Sequence, residues 1–222
     1  PSSWYITQYI AAGFGHLNRL NTFSSKRDER IDAMTDKALA FCTAEMLKEY
    51  RQLEADIQNG KAKMQEDHLS GMAIHYLYTQ SFFKEQQGNA AAQKARDYYI
   101  EQAARYWLGK GLYQEGMLAL ALHRLGRADA AQKIVASLRE RALNKEELGM
   151  YWAYDRGFYW YQLPVETQAL MVEVFSEVAN DKAAVENLRI WLLKNKQTNR
   201  WESTKATAEA VYALLLNGDN WL

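Results

Sequence analysis

The feature that most constrains this chain is a unit that appears between Val165 and Leu216 and then begins again. Pro164–Val178 (PVETQALMVEVFSEV) reads as a short apolar helix entered through Pro and a Glu-Thr pair. Asp181–Gln197 reads as a polar-faced helix, and Asn199–Leu216 returns to the first kind. The openings Val165-Glu166-Thr167-Gln168-Ala169 and Ser203-Thr204-Lys205-Ala206-Thr207 lie 38 positions apart, and both lead into helices dense in small residues. A helix pair that recurs at roughly 40–50 residues cannot bury its apolar face alone and has to stack on copies of itself.

Similar openings stand upstream. Ser2–Leu17 carries Ser-Ser, an aromatic and a Thr-Gln pair, and His68–Phe83 and Tyr113–Gly126 are looser versions. Longer, more charged helices are expected over Ile31–Ile57, Ala90–Leu108, Ala128–Leu143 and Asp181–Gln197. The order is a short apolar helix then a long amphipathic one, four times, with a fifth apolar helix last. Helices apolar on most sides are buried, and helices with one apolar stripe lie outside. The pattern therefore predicts an all-α fold, an α/α toroid of inner helices wrapped by outer ones. Inner helices should begin near Ser3, Ser70, Gln114, Val165 and Ser203.

The outer helices show the matching spacing. Leu39, Cys42, Met46, Tyr50, Leu53 and Ile57 step by three or four, as do Ile134, Leu138 and Arg141-Ala142. Pro occurs only at positions 1 and 164, stops are visible at Asn59-Gly60, Gly109, Gly126 and Asn217-Gly218, and no run alternates at period two for long enough to make a strand. No linker rich in Ser, Gly or Pro divides the chain, so one domain over 1–222 is expected.

Charge excludes some functions. The 27 basic and 27 acidic residues balance and are spread along the chain, with no basic stripe to follow phosphates, which argues against a nucleic-acid partner. No apolar run reaches the roughly 18 residues a bilayer span needs. The chain begins at Pro1 already inside an apolar helix, so it is expected to be a piece of something longer and truncated at its N-terminus.

These residues carry a resemblance. Ser3-Trp4-Tyr5-Ile6-Thr7-Gln8-Tyr9 is similar to the S-x-W-L-T-A-Y helix start of thioester domains in complement and alpha-2-macroglobulin proteins. Val165-Glu166-Thr167 resembles their V-E-A/T-T element, and Trp201-Glu202-Ser203-Thr204-Lys205-Ala206-Thr207 their G-[FW]-x-S-T-Q-A/D-T element. Between them Ala184–Asn195 resembles the family's V-x-W-L-x-x-Q/N outer helix, and the aromatic-heavy approach to Val165 looks most like bacterial members. The resemblance implies a terpenoid cyclase-like α/α toroid within a large extracytoplasmic protein, periplasmic or anchored to the outer membrane, that traps proteases. Its partners would be the other domains of that protein and, through them, the target proteases.

The same resemblance implies a thioester made by a Cys-x-Glu-Gln motif, and here the chain departs from the family. Its single Cys stands in Cys42-Thr43-Ala44-Glu45, with Glu where the Gln amide is required. Cys42 also falls on the apolar stripe of an outer helix, where a buried, inert thiol is the ordinary outcome.

In the family a His near the start of an inner helix assists acyl transfer. The nearest position here is Glu66-Asp67-His68, with His75 one to two turns further on. A His beside carboxylates can act as general base near neutral pH. The competing structural reading has Glu66 and Asp67 serving a helix N-terminus and His75 packed. His68 is thus the one weak catalytic candidate. His16 and His123 suit helix C-termini, and the four His show no metal spacing, so neither metal nor other cofactor is expected. The aromatic loop 151–161, with Tyr151, Trp152, Tyr154, Phe158, Tyr159, Trp160 and Tyr161, is either a lid on the barrel or a platform for sugar or peptide. A carbohydrate-active toroid would need paired carboxylates. Glu115, Glu166, Glu173, Glu177 and Glu209 occur singly, Glu166 and Glu209 expected at a helix terminus or surface, so the non-enzymatic module is the preferred reading.

Overall fold

The computed structural model describes residues 3–20, 29–83, 88–154, 164–196, 201 and 203–216. Among them are nine α-helices and one two-stranded hairpin, an all-α fold. The chain forms two compact units, Pro1–Trp107 and Leu108–Leu222.

The first unit holds α1 (Trp4–Arg19), α2 (Glu29–Gln58), α3 (Gly71–Gln80) and α4 (Ala90–Tyr106). Helix α1 starts where the sequence asks it to. Ser3 is extended, its Oγ accepts the Ile6 N–H, and the Thr7 hydroxyl donates to the Ser3 carbonyl at 2.8 Å. The buried face of α1 is Gln8, Ala11, Ala12 and Gly15. These small residues let α3 come close, and a Cβ on Gly15 would stand 2.5 Å from Cγ of Phe82. Helix α3 is capped by the Ser70 Oγ on the Ala73 N–H at 3.0 Å and is buried continuously from Ala73 to Gln80. It is the all-round apolar helix that its sequence describes. Helix α2 turns Thr35, Leu39, Cys42, Met46 and Tyr50 inward, one face of a 3.6-residue period, and packs on α1, α3 and α4.

The second unit holds α5 (Leu112–Arg124), α6 (Ala128–Glu140), β1 (Leu143–Lys145), β2 (Gly149–Tyr151), α7 (Pro164–Glu177), α8 (Lys182–Lys194) and α9 (Thr204–Leu215). Helix α7 packs on both α5 and α9, while α6 lies against α5 and α8 against α7. Within this unit the short apolar helices are therefore neighbours and the amphipathic ones flank them. Burial agrees: α7 is buried without interruption from Val165 to Phe175, whereas α6 buries only the stripe Ala131, Ile134, Val135 and Leu138. Gly116 allows the α5–α7 approach, since a Cβ there would lie 2.8 Å from Leu170.

Arg124 ties the ends of three helices together. Its guanidinium donates to Glu173 at 2.7 Å and to Glu177 at 2.6 Å, and the Tyr212 hydroxyl donates to the same Glu173 oxygen at 2.8 Å. A carboxylate as buried as Glu173 requires such partners.

One region is corrected. Helix α6 ends at Glu140, and Leu143 instead opens a β-strand in a region expected to hold none. The strands pair antiparallel in the register Leu143↔Tyr151, Asn144↔Met150 and Lys145↔Gly149. Helix α5 begins at Leu112, near the expected Gln114, because Gly111 takes the extended capping conformation and its N–H is accepted by the Gln114 side chain at 3.3 Å. Glu166 sits in the first turn of α7, at the helix terminus, and is buried there.

Candidate functional site

In the first unit a cleft of about 520 Å³ lies along α2, bounded by Trp4 at the start of α1 and by His68 before α3. The α2 wall is polar: Glu45, Glu49, Gln52 and Asp56 recur at intervals of four, three and four, so one helix face presents them all. Lys48, Leu53 and Tyr99 complete the lining.

Glu49 is the best-held carboxylate of the cleft. Its Oε1 accepts from the Ser70 hydroxyl at 2.9 Å and from the Tyr99 hydroxyl at 3.5 Å. Both donors are neutral. Burial, reinforced by the Glu49 charge, holds the Tyr99 phenol well above its usual range, so it remains a donor. The Asp56 side chain accepts from the Gln52 amide at 3.2 Å. Glu45 has Lys48 at 4.0 Å, and that ammonium is 80% exposed.

His68 is fixed from three directions. Its N–H is accepted by Gln102 at 2.9 Å, its Nδ1 shares a 2.6 Å hydrogen bond with the Tyr98 hydroxyl, and its ring stacks on Tyr98. Burial pushes the Tyr98 phenol up to about 12, so Tyr98 stays protonated at neutral pH. Nε2 reaches neither solvent nor a hydrogen-bond partner among the described residues, and the same is true of the Trp4 indole Nε1. The carboxylates beside His68 in sequence serve the backbone: Glu66 accepts from the Lys63 N–H and Asp67 from the Leu69 N–H. The carboxylates that share its cleft come from α2 instead.

The remaining candidates are packed. His75 is buried with its ring beside Tyr5, and His16 bonds the Tyr78 hydroxyl at 2.8 Å and meets Phe82 edge-on. His123 lies in the last turn of α5. Cys42 is fully buried, and that burial pushes its thiol up to about 12. Among the described residues no three His, Cys, Asp or Glu side chains come together as a metal site.

Of the aromatic loop, Tyr151, Trp152 and Tyr154 are described, while Phe158, Tyr159, Trp160 and Tyr161 lie outside the described residues. Trp152 is buried, donates its indole N–H to the Leu138 carbonyl at 2.9 Å and packs on Phe175. Tyr154 donates to the Gln168 side chain at 2.5 Å and lies against Trp191, on which Tyr151 also stacks. Gln168 in turn donates to the carbonyls of Met150 and Leu188. These three rings strap the hairpin to α6, α7 and α8.

A second polar group involves α5, α7 and α9. The Lys205 ammonium lies 5.6 Å from the centre of the Tyr113 ring, near Glu166 and Glu209, and burial lowers its proton affinity. Glu115 is paired with Arg141, its carboxyl raised by burial against that pairing.

The cleft was not singled out from sequence. The spacing of Glu45, Glu49, Gln52 and Asp56 was there to be seen, but it is also the spacing of any solvated helix face. No protein-family model matches the chain, and no curated protein matches it.

Proposed function

We propose that this chain is a non-enzymatic interaction module of a bacterial alpha-2-macroglobulin-like, protease-trapping protein, its inner and outer helices arranged as an α/α toroid. Its partners are the other domains of the parent protein and, through them, the trapped proteases, in an extracytoplasmic compartment. One observation carries the reading of an interaction module. Helix α1 keeps Ile6, Ile10 and Leu17 exposed along one face, and α9 does the same with Val211 and Leu215. Apolar residues at helical spacing on a surface mark contact sites. The elements that resemble the family also fall at the first turns of α1, α7 and α9, where that family uses them.

The carbohydrate reading finds less support, because Trp152 and Tyr154 spend their rings and polar groups within their own unit and the Tyr151 ring stacks on Trp191. The test is Ile10→Glu. Ile10 is 46% exposed, so the isolated chain should lose no more than about 0.5 kcal/mol. In the intact parent protein the same change should reduce capture of a protease. Undiminished capture refutes the contact role of α1.

A further inference from the structure

A second hollow of the first unit, about 400 Å³, lies on α4 and is lined by Met64, Tyr98, Glu101, Gln102, Ala104 and Arg105. We propose that it binds a single α-amino acid with an apolar side chain, held as its zwitterion. The carboxylate sits on Gln102 and Arg105, the ammonium on Glu101, and the side chain against Met64 and Tyr98. The inference does not depend on the protease-trap reading.

Gln102 anchors the site. It is 6% exposed, and its Oε1 accepts the His68 backbone N–H at 2.9 Å. A backbone N–H can only donate, so the amide cannot be turned round, and its Nε2 faces away from that backbone. Nε2 has no hydrogen-bond partner among the described residues, yet it is not shut off from solvent. It therefore opens on the hollow that Gln102 lines. The donor is also held still, because His68 is itself fixed by the 2.6 Å hydrogen bond between its Nδ1 and the Tyr98 hydroxyl. A fixed amide donor on a side chain this buried asks for an oxygen from outside.

Arg105 makes that oxygen a carboxylate's. It stands three positions after Gln102 on the same helix face, where Cβ atoms lie about 5–6 Å apart. Its guanidinium lies over the Tyr106 ring at 5.2 Å and forms no ion pair among the described residues. A planar guanidinium fork beside an amide N–H donor matches the two oxygens of a carboxylate. Glu101, four positions before Arg105, borders the same hollow, so an anion with no positive charge of its own meets repulsion there. An amino acid carries its ammonium next to its carboxylate and satisfies both signs at once. One carboxylate is too few for a zinc or calcium site. Met64, 47% exposed, and the Tyr98 ring give an apolar side chain its wall, and the volume suits a ligand of amino-acid size.

The test titrates the chain with L-leucine at low salt, read by calorimetry and by the Gln102 side-chain amide resonances. Two relatives each delete one charge: N-acetyl-L-leucine lacks the ammonium and L-leucinamide lacks the carboxylate. Leucine should saturate with Kd on the order of 1 mM, and each relative should bind about tenfold more weakly or worse. Arg105→Gln should weaken leucine by a similar factor, and because Arg105 is exposed the variant should fold as the parent chain does. Lys94→Gln removes an exposed cation of α4 outside the hollow and should leave binding unchanged. No saturable shift of the Gln102 resonances, equal binding of leucine and either relative, binding unchanged in Arg105→Gln, or an equal loss in Lys94→Gln would overturn the proposal.

Discussion

Replacing Trp152 by Ala should unfold the second unit far more readily, and the structure says by how much. The side chain is 2% exposed, its ring packs on Phe175, and its indole N–H donates to the Leu138 carbonyl at 2.9 Å. Leu138 lies in the last turn of α6, where carbonyls have no partner within the helix, so the indole acts as a cap from outside. Removing a buried Trp costs about 3–5 kcal/mol in lost burial and cavity. Trp152→Phe keeps much of the burial but leaves that carbonyl unsatisfied, for about 1–3 kcal/mol. The two variants should rank in that order in urea denaturation followed by far-ultraviolet circular dichroism, with the midpoint shifted and the slope unchanged. The argument would be refuted if Trp152→Ala cost less than about 1 kcal/mol, because a buried, hydrogen-bonded ring cannot be so dispensable. Sugar-dependent Trp fluorescence lost in a stable Trp152→Ala variant would turn the same ring into a binding platform.

Cys42 should not react with a thiol reagent in native buffer at pH 8, since its thiol is pushed up to about 12, and labelling should follow unfolding; rapid native labelling would contradict this. The same shift fixes a pH dependence. The folded thiol titrates above its ordinary value of 9.0, so its contribution is fully present below pH 9 and is lost as pH rises toward about 12. Cys42→Ala should therefore flatten the alkaline fall in stability relative to the parent chain, a comparison that cancels the tyrosines titrating alongside. Arg124→Met should cost about 3–5 kcal/mol by leaving Glu173 buried without a cation, and adding Glu173→Gln should recover part of that loss in denaturant melts. No recovery would mean that the pairing is not what the Arg124 variant loses.

The helical framework was legible because its signals are local. Ser3, Ser70 and Ser203 cap their helices through their own side chains, and Pro164 opens α7, all within one turn of the residues that reveal them. The α2 stripe was equally visible, since Leu39, Cys42, Met46 and Tyr50 need only the helical period to share a face. The hairpin escaped because its strands are three residues each, too short for any periodicity. What makes it form is tertiary: Gly149 sits so close to α8 that a Cβ would lie 2.1 Å from the Asn187 carbonyl oxygen, and Gln168 reaches Met150 from inside α7. Glu166 stands at a helix terminus, as its place ahead of an apolar run implies, but the burial of that turn is invisible along the chain. The cleft failed to show for the same reason. Glu49 gains its meaning from Ser70 and Tyr99, 21 and 50 residues away, and His68 from Tyr98, 30 residues away.

The exposed faces of α1 and α9 also govern how the molecule behaves in a test tube. Ile6, Ile10, Val211 and Leu215 are each more than 40% exposed, and each turns a branched hydrocarbon toward water with no polar atom to mask it. With equal numbers of basic and acidic residues, the chain has little net charge to keep copies apart. Concentrated solutions of the isolated chain should therefore scatter light and lose monomer near neutral pH, and Lys or Glu at these four positions is the economical remedy, because none of the four contributes to either core.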